Sequence, residues 1–114
     1  MLVLLFPGQG SQTPGMLEPW LDLPGARERV ARWSELADLD LLRLGTQGSA
    51  DDVRDTAVAQ PLLTATALLT ADVLLDGATP DAVCGHSVGE LPALVVAGVI
   101  PADDALRLAA RRGA

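Results

Sequence analysis

The chain has 114 residues, 49% of them apolar, which is enough for one cored domain and too apolar for a disordered chain. Fifteen acidic residues oppose eight basic ones for a net charge of −7. All eight are Arg and form no long stripe, so nucleic-acid binding is not expected.

Residues 2–6 form a continuous apolar run closed by Pro7-Gly8, the pattern of a strand buried on both faces. A Gly-rich loop follows over residues 7–15. Residues 27–37 predict a helix whose inner face carries Val30, Trp33 and Ala37, with Glu28 and Arg32 paired at i,i+4. Residues 38–45 predict a further helical turn, and residues 45–55 a polar loop with one turn in it. Residues 61–75 are apolar at nearly every angular position, the mark of a buried helix, with Pro61 in its first turn and Gly77 as its stop. Residues 81–85 read as a short strand, 87–98 as a helix with Pro92 near its first turn, and 101–112 as the last helix, with Gly113 as its cap.

This order points to an α/β fold with a parallel sheet. Two parallel strands make no stable sheet by themselves, so the chain reads as a piece of a larger fold or one that needs a partner. The N-terminal apolar run is too short for a signal peptide and lacks a basic flank. The run over residues 93–100 falls far short of a membrane span, so no membrane is expected. A single cysteine, Cys84, excludes an internal disulfide and reads as a buried strand thiol in a reducing, cytoplasmic setting. One Cys and one His offer no metal site, and no cofactor is expected.

The strongest motif is Gly85-His86-Ser87-Val88-Gly89. It fits the G-x-S-x-G nucleophile elbow and lies between an apolar strand and a helix, as that motif requires. The five-residue pattern alone is common in Gly-rich chains; its context is what carries it. Glycines two before and two after the serine allow a sharp turn. Ser87 then stands at a helix N-terminus, where free N–H groups favour negative charge, and the Val88 N–H faces the oxyanion of a tetrahedral intermediate. The loop Gly8-Gln9-Gly10-Ser11-Gln12 leaves the first strand at its carboxyl end, so it and the elbow converge on one edge of the sheet. It lacks the third Gly of a dinucleotide fingerprint and the Lys of a P-loop.

In the last helix Ala105, Leu108, Ala109 and Arg112 fall on one stripe, while Asp103, Arg107 and Arg111 form a charge ladder on the opposite face. An inward Arg112 asks for an anion, and its planar fork suits a carboxylate; the alternative is an Arg serving the helix C-terminal dipole. His86, the single histidine, adjoins Ser87 in sequence and diverges from it across the turn, which makes it a poor general base. Gln60 either caps a helix or lines a pocket.

Together, Phe6-Pro7-Gly8-Gln9-Gly10-Ser11-Gln12, Ala59-Gln60-Pro61, Gly85-His86-Ser87-Val88-Gly89-Glu90, Ala105-Leu106-Arg107-Leu108 and Arg112-Gly113 resemble the malonyl-CoA:acyl carrier protein transacylases in order and spacing. The resemblance implies the N-terminal part of an α/β-hydrolase-like acyltransferase core, without the family's small ferredoxin-like subdomain. Residues 1–114 would then be an incomplete portion of a single acyltransferase domain. It further implies a ping-pong transfer. Ser87 takes a malonyl group from malonyl-CoA as an ester and passes it to the phosphopantetheine thiol of acyl carrier protein, in fatty acid biosynthesis. By the family pattern the backbone N–H groups of Gln9 and Val88 form the oxyanion hole and Arg112 pairs with the malonyl carboxylate. Gln60 and His86 border the acyl pocket, and the catalytic histidine lies in a part of the family beyond these residues.

Two other readings remain. One is the acyltransferase domain of a polyketide synthase, against which the start at Met1 speaks. The other is an inactive module that binds the acidic carrier protein through Arg107 and Arg111. Without its base the chain alone is expected not to turn over, and to associate through apolar surface.

Overall fold

A computed structural model describes residues 1–114. Strand β1 (Val3–Phe6) is followed by four helices: α1 (Ala26–Ala37), α2 (Leu41–Gln47), α3 (Ala50–Arg54) and α4 (Thr56–Leu75). Strand β2 (Ala82–Gly85) then leads into α5 (Glu90–Val96) and α6 (Ala102–Gly113). The strands pair in parallel, Val3 opposite Ala82 and Phe6 opposite Gly85, and both carboxyl ends open on the same edge.

Helix α4 organises the interior. It is apolar on all sides and twelve of its residues are buried, so its faces serve different neighbours. Leu62, Ala65, Leu68 and Leu69 enter one core with Val30 and Trp33 of α1, Leu41 of α2 and Leu106 of α6. Ala71 meets Leu4 and Phe6 of β1 and Ala93 of α5, and Leu63 meets Val88 and Ala109. Each large side chain buried in this way contributes about 1.5–3 kcal/mol. Helix α4, 20 residues long, contains an 18-residue window with a mean hydropathy of 1.5, apolar enough to cross a membrane, but 61% of that window is buried inside the domain.

Sequence reasoning placed the helices and both strands, and the structure differs from it in the start of α4 and in the burial of β1 and Cys84. Helix α4 starts at Thr56, not Pro61: the Asp55 side chain accepts from the Ala57 N–H and caps it. Pro61 therefore lies inside the helix and leaves the Ala57 carbonyl without its usual donor. The polar segment before it carries the one helical turn expected there, α3, started by a capping box in which Ser49 Oγ accepts from the Asp52 N–H and the Asp52 carboxylate from the Ser49 N–H. Strand β1 is buried on one face only, with Leu5 75% exposed. Cys84 is exposed on β2. Helices cover only one side of this two-stranded sheet, and an apolar run carries no signal of that.

The expected Glu28–Arg32 pair gives way to a longer-range contact. Arg32 Nε and Nη2 donate to Asp103 Oδ2 at 2.8 and 2.6 Å, tying α1 to α6. The hydrogen bond from Arg32 is the main cause that holds the Asp103 carboxyl below its ordinary value; burial opposes it, and the Arg32 charge adds a smaller lowering effect.

Candidate active site

Ser87 sits between β2 and α5 in the sharp turn that the sequence demands. His86 is extended, Ser87 has φ 58, and Ser87–Gly89 form one 3-10 turn that runs into α5. A non-glycine residue in the left-handed region costs on the order of 1 kcal/mol and persists where its surroundings impose it. Here they are tight backbone contacts. A Cβ on Gly85 would lie 2.2 Å from the Gly89 carbonyl oxygen, and one on Gly89 would lie 2.3 Å from that of Phe6. Neither glycine carries the positive φ; their role is to let three stretches of backbone touch. Pro92 is the third residue of α5 and is tolerated in its first turn.

Val88 anchors the turn. Its side chain is 1% exposed and packs on Leu63 and Ala109. With the side chain inside, the Val88 N–H donates to no group of the chain. The Gly-rich loop approaches from β1, as its position predicts. Gly8 is buried and packs so closely on His86 and Ser87 that a Cβ there would meet the His86 carbonyl at 2.8 Å and the His86 ring at 2.9 Å. Gln9 follows, exposed, its N–H also unpaired within the chain. The Gln9 side chain is held from α4: Gln9 Nε2 donates to Thr56 Oγ1 at 2.9 Å, and Gln60 Nε2 donates to Gln9 Oε1 at 3.3 Å. Gln60 is 6% exposed, and its own Oε1 is buried with no partner.

Helix α6 brings the charge. Arg112 Nη2 donates to Ser87 Oγ at 2.7 Å. The stripe that pointed to this contact needs correcting. The buried face of α6 is Ala105, Leu106, Ala109 and Gly113, while Leu108 and Arg112 are exposed at its border. Arg112 reaches Ser87 from that border, one turn beyond Ala109, which lies under the elbow. Gly113 is part of the helix and not a cap. A Cβ on it would lie 2.6 Å from the Thr56 carbonyl oxygen, so a glycine lets the end of α6 rest on the start of α4. Arg107 pairs with Asp104 one turn away, and Asp103 turns to Arg32 in place of the ladder expected on this face.

The structure thus brings Ser87, Arg112, Val88, Gln9 and Gln60 to the carboxyl edge of the sheet. His86 is present but exposed, its ring against Gly8 and its side chain in no hydrogen bond with Ser87. Thr56 was missed because it falls between the loop read over residues 45–55 and the helix read from Pro61, whereas α4 starts at it; the signal available was its i,i+4 spacing to Gln60. A hydroxyl at a strained turn, a guanidinium touching it and two unpaired N–H groups nearby suit a reaction in which that oxygen carries an acyl group with a developing negative charge.

Residues 3–114 match the acyl transferase domain family. The chain is similar to the malonyl CoA-acyl carrier protein transacylase of Mycobacterium tuberculosis (strain ATCC 25618 / H37Rv), 58% identical over 118 residues that cover 100% of this chain and 39% of that protein. It is similar to the crystal structure of MCAT from the same species, with a TM-score of 0.88 and 56% identity over 97% of this chain and 38% of that one. A type II PKS acyl-carrier protein in complex with its malonyl-transacylase offers another likeness, with a TM-score of 0.86 and 37% identity over 97% of this chain and 37% of that one. The chain spans 39% of the length of the curated relative.

Proposed function

Because this chain belongs to the acyl transferase domain family, we propose that it is the nucleophile-bearing part of a malonyl-CoA:acyl carrier protein transacylase acting in fatty acid biosynthesis in the cytoplasm. The observation that carries this reading is the 2.7 Å contact from Arg112 to Ser87 Oγ at the elbow.

Ser87 Oγ attacks the thioester carbonyl of malonyl-CoA and forms a tetrahedral intermediate. The N–H groups of Gln9 and Val88 bind its oxyanion; collapse expels the CoA thiolate and leaves malonyl-Ser87. The phosphopantetheine thiol of acyl carrier protein then attacks the same carbonyl and regenerates Ser87. The malonyl carboxylate sits on the far side of one methylene from the ester carbonyl. Arg112, already at Oγ, moves only a short way to form the forked pair that a carboxylate accepts. Gln60 and His86 border the acyl pocket. His86 makes no side-chain bond to Ser87, whose oxygen accepts from Arg112 instead; by the family pattern, the base that takes the Ser87 proton is a histidine in a part of the family that residues 1–114 do not match. The relatives' names and the solved carrier-protein complex support the choice of donor and acceptor.

The test is adduct mapping. Full-length protein incubated with malonyl-CoA should gain one malonyl group on the peptide that contains Ser87, and Ser87→Ala should abolish it. A label on another residue, or an undiminished label in Ser87→Ala, rules the assignment out.

A further inference from the structure

Thr56 has no part in the chemistry above, yet three elements of the site meet on it. Its hydroxyl accepts from Gln9 Nε2 at 2.9 Å. Gln60, one turn further along the same face of α4, donates to the other end of that amide at 3.3 Å. The Thr56 carbonyl is the surface on which Gly113 rests, next to Arg112. Thr56 itself stands in a capped first turn, since Asp55 accepts from the Ala57 N–H at 3.0 Å.

Gln9 has need of such an anchor. It lies between Gly8 and Gly10, and Gly10 is at φ 113, a conformation open to glycine. The Gly10 N–H is taken by Gln12 Oε1 at 2.7 Å, whereas the Gln9 N–H is unpaired. Gly8 is packed against His86, but Gly10 has open space around it and leaves the chain after Gln9 free in φ and ψ, so the direction of the Gln9 N–H depends also on what holds its side chain. Thr56 and Gln60 hold it at both ends.

We propose that Thr56 is a positioning residue: with Gln60 it fixes the Gln9 side chain, and so aims the Gln9 N–H at the carbonyl oxygen of the acyl group on Ser87. The inference rests on the acyl-transfer reading and adds to it a residue that touches no substrate. Thr56→Val keeps the side-chain shape and removes the acceptor, leaving one end of the Gln9 amide free.

The experiment follows malonyl-Ser87 formation by rapid quench in the full-length protein. Thr56→Val should slow acylation about tenfold, less than outright removal of an oxyanion donor, with KM for malonyl-CoA within about twofold of wild type. Thr56→Ser should restore the rate, because it restores the hydroxyl. In a Gln9→Ala background, where the side chain to be held is gone, Thr56→Val should add no further loss. A wild-type rate in Thr56→Val overturns the proposal, as does an equal loss in the Gln9→Ala background or a Thr56→Ser variant as slow as Thr56→Val. A wild-type protein that forms no malonyl-Ser87 would instead defeat the acyl-transfer reading on which the proposal rests.

Discussion

At the scale of single residues, the site is an oxygen in a strained position with a cation beside it. Ser87 holds φ 58 because Gly85, Gly89 and Phe6 bring backbone against backbone around it. If that φ is imposed, replacing Ser87 by glycine removes the strain while alanine retains it. Ser87→Gly should therefore be more stable than Ser87→Ala by about 1 kcal/mol, although both lack the hydroxyl. Thermal unfolding of the two full-length variants checks this, and equal stabilities would show a relaxed turn. The positions of Ser87 and Val88 were legible because a glycine pattern between a strand and a helix has few other uses. The exposure of Cys84 and Arg112 was not, because it depends on what covers the sheet and the end of α6, which local pattern does not encode.

At the scale of elements, the ends of α4 and α6 control the site more than their middles do. Gly113 offers a prediction decided by sign. Within an ordinary helix Gly→Ala stabilises by about 1 kcal/mol. Here the added Cβ meets the Thr56 carbonyl at 2.6 Å, so Gly113→Ala should destabilise by about 1–3 kcal/mol and displace Arg112 from Ser87. Chemical denaturation together with a malonyl-transfer assay reads both effects; a stabilised, fully active variant would mean the contact is slack.

The α1–α6 tie predicts a pH effect. Asp103 is held below its ordinary value of 3.8, first by the hydrogen bond from Arg32 and then by that residue's charge. A depressed folded pKa contributes stability above the unfolded value, lost as pH falls through the folded one. Asp103→Asn should thus be less stable than wild type at pH 7, with the gap closing below about pH 4. Melting curves from pH 7 down to pH 3 test it, and a gap that persists into acid would point to a packing effect. These ties were illegible in sequence. Glu28 and Arg32 have helical spacing that favours a local pair, and only the docking of α6 on α1 gives Arg32 a better partner.

For the molecule as a whole, the α/β order and the convergence of two loops on one edge followed from periodicity and glycine placement, because parallel strands must present their carboxyl ends together. The burial of each face did not follow. A continuous apolar run predicts a strand covered twice, and Leu2, Val3 and Leu5 are exposed instead, as are Leu94, Val99 and Leu108 elsewhere. Apolar surface of this kind is what the expectation of association for these residues alone rests on.

The central claim is that Arg112 recognises a carboxylate on the acyl group carried by Ser87. The direct measurement is the ratio of malonyl to acetyl acylation in full-length wild type and Arg112→Ala. Leaving the malonyl carboxylate unpaired should cost about 3 kcal/mol, roughly a hundredfold in malonyl acylation. Acetyl acylation should fall much less or rise, since an acetyl group has no charge to match. A ratio that falls by that order is the predicted result; equal losses for the two donors would make Arg112 a structural residue and contradict the claim.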